Sequence, residues 1–275
     1  MKNIHLKLYV AVFIFWLLQI SCSTSTFFFY PVKEIKYRPD TSICTYQEVN
    51  FKSSNDTLLT GWFIKPRSGK IIGTVLFFHG NGGNVGFQFY PLQKLAAAGF
   101  QSLVFDYEGY GNSHGKPSQE NVLGDGLAAL NYIRSREDVK GTKLILFGQS
   151  LGGHLAVVVA AQKQELITAL IIEGAFTSHR DIAAYTGKHY LSPGFFTRSI
   201  IPSKYDAIKV IAKITIPKLI IHSTEDRTCP FRMGKKLFDT AIAPKEFWEI
   251  KGPHINCCKL YKDEFIKHFQ KMVEN

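Results

Sequence analysis

The chain has 275 residues, of which 45% are hydrophobic and 20% are charged, a balance typical of globular proteins. This composition excludes intrinsic disorder, collagen-like repeats and a polytopic membrane protein. Lys and Arg outnumber Asp and Glu by 33 to 22, which gives a net charge of +11. The basic residues are scattered along the chain, so we expect a solvated basic surface and no nucleic-acid partner.

The first 22 residues have the features of an export signal. Two lysines and no acid precede the stretch 8–20, which is apolar except for Gln19. This stretch is shorter than the roughly 20 residues of a membrane-spanning helix, but it suits the core of a signal peptide. Cys22 follows where a bacterial lipoprotein carries its lipid-modified cysteine, although Gln19 stands where such signals usually have leucine. We expect an exported protein, periplasmic or anchored to the membrane; lipidation of Cys22, ordinary cleavage nearby and an uncleaved anchor are all compatible with the segment 1–22.

Eight strands are predicted from about residue 45 onward. The later strands are continuous apolar runs, as expected of central strands buried on both faces of a sheet. The first two strands flank a Ser-Ser-Asn-Asp turn and should form an antiparallel hairpin at one edge. The predicted strands are 46–51, 58–64, 71–78, 101–105, 143–147, 166–172, 218–222 and 246–250.

Helical stretches alternate with these strands. Their apolar spacing predicts helices over 89–98, 119–135, 151–163, 231–241 and 259–273. Strict alternation of strands and helices implies a mostly parallel eight-stranded sheet with helices on both faces, an α/β fold. We expect one domain, 45–275.

One interval interrupts the alternation. Between about residues 174 and 213 the chain has no predicted strand, and this is longer than a simple crossover needs. Its aromatic and branched residues lie among Ser, Gly and Pro. We interpret it as a short lid insertion. These residues are Tyr185, Tyr190, Leu191, Phe195, Phe196, Ile200 and Ile201.

The segment Gly148-Gln149-Ser150-Leu151-Gly152 carries the clearest chemical signal. It follows the apolar strand 143–147 and opens the predicted helix 151–163. A sharp turn between a strand and a helix exposes a serine nucleophile, and the flanking glycines allow the two elements to approach closely. Ser150 is therefore the predicted nucleophile.

A serine hydroxyl needs a base, and the base needs an acid that orients it. Both should follow the serine, at the carboxyl ends of later strands, in the order acid and then histidine. Asp226 follows the strand 218–222, and His254 follows the strand 246–250. Glu225 is the alternative acid. Six other histidines are weaker candidates for the base because of their positions: His5, His79, His154, His189, His222 and His268.

A Gly-rich loop follows the strand 71–78. It reads His79-Gly80-Asn81-Gly82-Gly83-Asn84, and it lacks the glycine spacing and the lysine of phosphate-binding loops. In a serine hydrolase such a loop supplies one of two backbone N–H groups that bind the developing oxyanion. Asn81 is the expected donor, together with Leu151, the residue after the nucleophile.

These segments, together with Asp106-Tyr107-Glu108-Gly109-Tyr110-Gly111-Asn112-Ser113, resemble the α/β-hydrolase superfamily. The resemblance covers about 46–273 and is strongest to the branch of serine-aminopeptidase-like and bud-emergence-type hydrolases. That branch commonly has Arg where Glu108 stands. The resemblance implies an α/β-hydrolase fold and serine hydrolase chemistry. We expect no cofactor and no metal.

The expected activity is hydrolysis of carboxylic esters with small to medium acyl groups. His254 would take the proton of Ser150, Asp226 would orient the imidazole, and the partner would be a small acyl substrate. A peptidase or an acyltransferase would use the same residues. A non-catalytic binding protein is the third alternative, but every expected catalytic position is filled.

Four cysteines remain if Cys22 is lipidated. Cys257 and Cys258 lack metal-ligand spacing with any partner, so no zinc site is expected. Cys229 follows the predicted acid, and the Cys257–Cys258 pair follows the predicted base. A disulfide between Cys229 and one of this pair would brace the two loops, whereas the alternative is that the cysteines are unpaired and simply buried.

Overall fold

The computed structural model describes residues 28–190 and 201–274. The predicted signal 1–22, with Cys22, and the part of the predicted lid that contains Leu191, Phe195 and Phe196 lie outside these residues. No helix among the described residues is both long and apolar enough to cross a membrane.

An eight-stranded sheet forms the centre of the molecule, and two further strands of two residues each pair beside it. Its order is β10-β9-β8-β7-β4-β6-β3-β2. All neighbouring strands are parallel except the pairs β2–β3 and β3–β6, so the predicted edge hairpin is confirmed. The strands are β1 (Tyr30–Pro31), β2 (Cys44–Lys52), β3 (Leu58–Pro66), β4 (Gly73–Phe78), β5 (Gly82–Gly83), β6 (Phe100–Phe105), β7 (Leu144–Gln149), β8 (Ala169–Glu173), β9 (Lys218–Ser223) and β10 (Lys245–Ile250).

Helices cover both faces of the sheet, as predicted. Those at Gln119–Ser135 and Leu151–Lys163 have the predicted bounds, and the predicted C-terminal helix is divided into a short turn and a long helix. The helices are α1 (Val85–Gln88), α2 (Tyr90–Ala97), α3 (Gln119–Ser135), α4 (Leu151–Lys163), α5 (His179–Tyr190), α6 (Ala207–Val210), α7 (Phe231–Thr240), α8 (Cys257–Leu260) and α9 (Lys262–Glu274).

Local chemistry fixes several of these helix ends. The Asn84 side chain accepts the N–H of Gly86 at the start of α1, and the Ser118 side chain accepts the N–H of Asn121 at the start of α3. Such caps satisfy N–H groups that have no partner within the helix.

One predicted strand begins too early. Residues 166–168 of the predicted strand 166–172 lie outside β8, because the chain first makes a 3₁₀ turn at Gln164–Leu166 in which the N–H of Ile167 bonds to the carbonyl of Gln164. Leu166 and Ile167 are apolar and adjoin the apolar run of the strand, and periodicity does not separate such a short turn from a strand end.

The core has two halves, one on each face of the sheet. Side chains alternate along β4, so that Leu76 and Phe78 pack with α3 and α4, whereas Val75 and Phe77 pack with α2 and α9. The central strands β4, β6, β7, β8 and β9 are buried along their whole length. Because neighbouring parallel strands end at the same edge, the loops after β4, β7, β8, β9 and β10 meet there.

Candidate active site

Ser150 lies at the turn between β7 and α4. Its φ of 55° and ψ of −118° place a non-glycine residue in the left-handed half of conformational space, which costs free energy and occurs where the surrounding structure imposes it. Its N–H donates to the carbonyl of Glu173 at 2.9 Å. This strained turn presents the hydroxyl at the edge of the sheet.

The two flanking glycines are required by close approach. A Cβ atom at Gly152 would lie 1.9 Å from the carbonyl oxygen of Phe78, and one at Gly148 would lie 2.3 Å from the carbonyl oxygen of Gly152. The start of α4 therefore packs directly on the end of β4. This explains why the glycines stand two residues on either side of Ser150.

Asp226 and His254 come together from the loops after β9 and β10. The Nδ1 atom of His254 lies 2.6 Å from Oδ2 of Asp226. The other carboxylate oxygen, Oδ1, accepts the N–H groups of Thr228 and Cys229, both at 2.8 Å. These bonds fix Asp226 so that it can orient the ring, with Nε2 of His254 on the opposite side.

Glu225, the alternative acid, does not contact His254 in this way. Its side chain is exposed and accepts the N–H of Gly252 at 2.9 Å. It therefore supports the loop that carries His254, while Asp226 contacts the imidazole itself.

A second histidine, His222, lies behind Asp226. It is fully buried, its Nε2 donates to the carbonyl of Cys229 at 2.8 Å, and the same atom is 3.6 Å from Oδ2 of Asp226. Burial lowers its pKa, so it is neutral beside the carboxylate. The sequence places His222 at the boundary between a strand and a loop, but it gives no sign that this histidine lies beside Asp226.

His254 lies close to the segment that supports Ser150. A Cβ atom at Gly174 would lie 2.8 Å from Cε1 of the His254 ring, and the preceding residue, Glu173, accepts the N–H of Ser150. The Nε2 atom of His254 is buried and has no hydrogen-bond partner in the described structure. The Ser150 hydroxyl instead contacts the thiol of Cys229, whose pKa is raised by burial.

The Gly-rich loop passes beside Ser150. A Cβ atom at Gly80 would lie 3.7 Å from Cβ of Ser150. The carbonyl of Asn81 accepts the N–H of Tyr30 at 3.0 Å and the hydroxyl of Tyr110 at 2.8 Å, which fixes the orientation of this part of the loop. Among the described residues, no hydrogen bond engages the N–H of Asn81.

Leu151 is the first residue of α4. The first N–H groups of a helix have no partner within it, and an anion at this end is favoured by the helix dipole. The structure therefore places Leu151 and Asn81 on two segments that both adjoin Ser150, one from α4 and one from the loop after β4.

The motif 106–113 supports the Gly-rich loop through two tyrosine hydroxyls. The hydroxyl of Tyr107 donates to the carbonyl of His79 at 3.0 Å, in parallel with the bond from Tyr110 to Asn81. Glu108, where the resembling branch has Arg, is buried and accepts the side-chain amides of Asn55 and Asn121. Its contacts are structural.

A cavity of about 160 Å³ opens at Ser150. Its walls come from the Gly-rich loop, the start of α4, helix α5, the Asp226 loop and the segment before β2, and they are mostly apolar. The lining residues are Phe28, Tyr30, Asn81, Ser150, Leu151, Phe176, Ile182, Ala183, Thr186, Thr228 and Cys229.

Two of these residues, Phe28 and Tyr30, were not expected at the site. The sequence predicts a domain that begins at residue 45. In the structure, residues 28–34 also belong to it, because they pack on the Gly-rich loop. Strand β1 pairs with β5, and the side-chain amide of Asn81 donates to the carbonyl of Phe28 at 3.2 Å. Two-residue strands carry no readable periodicity, so the sequence offers no signal for this contact.

The predicted lid contributes part of the cavity wall through α5. Ile182, Ala183 and Thr186 line the cavity, while the hydroxyl of Tyr185 donates to the carbonyl of Arg227. Ile201 is buried in the core. Whether the whole interval acts as a lid stays a prediction.

The predicted disulfide is wrong, because Cys44, Cys229, Cys257 and Cys258 are all free. Cys229 belongs to the half of the core on the α3–α4 face of the sheet, whereas Cys257 and Cys258 belong to the half on the α2–α9 face. The thiols therefore pack on opposite faces of the sheet, although the two loops converge at Asp226 and His254.

No three His, Cys, Asp or Glu side chains within residues 28–190 and 201–274 are grouped so that they could hold a metal ion. A larger cavity of about 370 Å³ lies near the amino ends of β9 and β10 and contains none of the candidate residues.

Comparison with known proteins gives a consistent result. A family model described as the alpha/beta hydrolase fold matches residues 73–198. The protein YfhR of Escherichia coli K12 is 35% identical over 84% of this chain and 80% of its own length. The alpha/beta hydrolase domain-containing protein WAV2 of Arabidopsis thaliana is 31% identical over 72% of this chain and 67% of its own length. Among solved structures, the esterase Pf2001 of Pyrococcus furiosus superimposes with a TM-score of 0.73 at 19% identity, covering 89% of this chain and 98% of that one.

Proposed function

The chain belongs to the alpha/beta hydrolase family, and from this premise we propose that it hydrolyses carboxylic esters through an acyl-enzyme on Ser150. The observation that carries the proposal is the 2.6 Å contact between His254 and Asp226, which leaves Nε2 of His254 free on the side of the ring away from the acid. The esterase Pf2001, which shares the fold, agrees with this choice of reaction.

The reaction begins when Nε2 of His254 takes the proton of Ser150 as Oγ attacks the acyl carbon. The carbonyl oxygen becomes an oxyanion, which the N–H groups of Asn81 and Leu151 bind. The imidazolium, stabilised by Asp226, gives its proton to the departing alkoxide, and an acyl ester of Ser150 remains. Water, activated by the same histidine, then cleaves this ester and restores Ser150.

The cavity favours a short acyl group. A volume of about 160 Å³ is close to the roughly 150 Å³ of an engineered cavity that holds one benzene molecule. Its walls, such as Phe176 and Ile182, are apolar and offer no charged partner to a substrate. We therefore propose an acyl chain of up to about six carbons.

Covalent labelling with a fluorophosphonate probe tests the nucleophile. Wild-type protein should be labelled, Ser150→Ala should not, and Ser135→Ala, at an exposed position at the end of α3, should be labelled like wild type. Absence of labelling in folded wild-type protein would contradict the proposal.

Hydrolysis rates across p-nitrophenyl esters then test the acyl group. We expect kcat/KM to be highest for short acyl chains and to fall beyond about six carbons, since longer chains exceed the cavity. An optimum at ten or more carbons would contradict the proposed acyl size without contradicting the nucleophile, and activity on peptides alone would favour a peptidase.

We also propose that the chain is exported and held at a membrane surface. The support is the composition of 1–22 and the basic net charge. Only five residues separate Cys22 from Phe28, which lines the cavity. The mass of the N-terminus after export checks the proposal: a diacylated Cys22 supports anchoring, and an unmodified Met1 in the cytoplasmic fraction contradicts export.

A further inference from the structure

Glu173 is a buried carboxylate that the reaction described above does not use. It ends β8, its residue is 1% exposed, and it lies between the segments that carry Ser150 and His254. Its Oε2 accepts the side-chain amide of Gln149 at 2.6 Å, and its Oε1 accepts the N–H of Cys257 at 2.8 Å. One side chain thus joins the residue before Ser150 to the loop that follows His254.

The backbone of the same residue extends this connection. Its carbonyl accepts the N–H of Ser150 at 2.9 Å, and the next residue, Gly174, packs against the ring of His254. Glu173 is the single acid at the end of an otherwise apolar buried strand, a pattern that the sequence already shows.

Both carboxylate oxygens of Glu173 accept N–H groups, which is the pattern of an ionised carboxylate. Burial and the nearby Asp226 carboxylate raise the pKa of Glu173, and the bonds from Gln149 and Cys257 and the proximity of His254 oppose that rise in part. A buried charge is costly unless an opposite charge is near it. The positive charge that forms on His254 during the reaction is such a charge.

We propose that Glu173 is a positioning residue that holds the His254 loop against the Ser150 turn and, as a second carboxylate beside Asp226, stabilises the protonated form of His254. The proposal rests on the proposed function, because it assigns Glu173 a part in that reaction.

The charged and titratable groups around Glu173 and His254 come from three elements: β9, the loop that follows it, and α8. Burial keeps His222 neutral and raises the pKa of Cys257 and Cys258, so these groups carry no charge. Lys259 is exposed. Apart from Asp226, which bonds to the ring, Glu173 is therefore the buried carboxylate among the described residues whose charge acts on His254. The groups are His222 and Asp226 from β9 and its loop, and Cys257, Cys258 and Lys259 from α8.

Glu173→Gln removes the charge and can keep the contacts. The introduced amide can accept the N–H of Cys257 through its oxygen, and its NH₂ can donate to Gln149 once that side-chain amide flips. Because an anion that favours imidazolium is lost, the acid limb of the kcat/KM profile should move to lower pH by roughly half to one unit, and the plateau should fall about three- to tenfold.

Two further variants separate charge from shape. Glu225→Gln removes an exposed carboxylate next to Asp226 and should leave the acid limb in place. Glu173→Asp keeps the charge with a shorter reach, so it should lower the plateau with little movement of the acid limb. The pH at which the acid limb of the kcat/KM profile falls does not depend on the amount of folded protein. A variant that folds poorly therefore still gives a usable pH profile.

The proton titration of the His254 ring, followed by NMR and assigned by comparison with His254→Gln, gives the same answer without turnover. A midpoint that moves down in Glu173→Gln supports the inference even if the ester substrate is wrong. An unmoved midpoint and acid limb would overturn it, whether or not the rate falls, while labelling of Ser150 would leave the proposed function standing.

Discussion

Two histidine–aspartate pairs lie at the carboxyl ends of strands in this molecule. His254 and Asp226 follow β10 and β9 and are 2.6 Å apart, and the His254 side chain is 15% exposed. His79 and Asp106 follow β4 and β6, have no exposed surface, and are 3.8 Å apart. The same two residue types at equivalent ends of strands are therefore placed in different environments.

The environment decides what each pair can do. Burial lowers the pKa of His79 to about 4 and raises that of Asp106 to about 7. The His79 ring also packs against Tyr107 and Tyr110, at centroid distances of 4.5 and 5.4 Å. The buried pair thus supports the Gly-rich loop with a neutral His79 and with an Asp106 carboxyl that ionises only at about pH 7. For the pair Asp226–His254 we propose proton exchange with the substrate.

Asp226→Asn should have the largest effect in this comparison. Loss of the carboxylate removes the group that fixes the His254 tautomer, and kcat should fall by about 10⁴-fold with the fold retained. The measurement is ester hydrolysis, with circular dichroism as the check of folding.

The matched variant is Asp106→Asn, which keeps an oxygen for the N–H of Val85. Its kcat should stay within about threefold of wild type, because Asp106 does not contact the reacting groups. A comparable loss of activity in both variants would remove the distinction between the two pairs.

The pH dependence of stability should show the second effect. Because the folded-state pKa of Asp106 is raised above that of an unfolded chain, ionising it costs stability, and this cost grows as pH rises from about 4 to about 7. Asp106→Asn abolishes the cost, so its free energy of unfolding should increase relative to wild type by a few kcal/mol across that window.

Urea unfolding at about pH 5 and about pH 8 measures this difference. Asp239→Asn, at an exposed aspartate near the end of α7, should show no such trend. If Asp106→Asn changes stability equally at both pH values, Asp106 is not held in the environment described here.

Tyr110→Phe should have the smallest effect. It removes the hydroxyl that holds the carbonyl of Asn81, so stability should fall by about 1 kcal/mol. The kcat/KM should fall by about three- to tenfold, because the N–H of Asn81, the proposed oxyanion donor, loses its fixed position.

Tyr107→Phe removes the parallel bond to the carbonyl of His79 and serves as the control. It should cost similar stability and less activity, because Asn81, and not His79, is the proposed oxyanion donor. Equal rates in the two variants would argue against Asn81 in that role.

Much of the fold was predictable because it follows from local patterns. The apolar runs of β4, β7 and β9 identify strands buried on both faces, and their alternation with helices predicts the parallel sheet. The turn at Ser150 was predictable because its Gly-x-Ser-x-Gly spacing is a local pattern, although Gly152 is needed for close approach to Phe78 on the distant strand β4.

Other features depend on contacts between distant segments. Periodicity gave no sign that Phe28 and Tyr30 reach the cavity, because a two-residue strand has no period. The disulfide prediction is wrong because two loops can converge without bringing their thiols together. Cys229 packs in one half of the core, and Cys257 and Cys258 pack in the other.

Residue type and local spacing were sufficient to predict the succession of strands and helices along the chain, the nucleophile at Ser150, and the candidates for acid and base. Each of these depends on residue type and spacing along a short stretch of chain. Contacts between distant segments show that Asp226 rather than Glu225 contacts His254, that His79 and Asp106 form a buried pair, and that Glu173 joins both sides of the site. Burial and hydrogen-bond partners give these carboxylates different roles, and both arise from segments that are far apart in the chain.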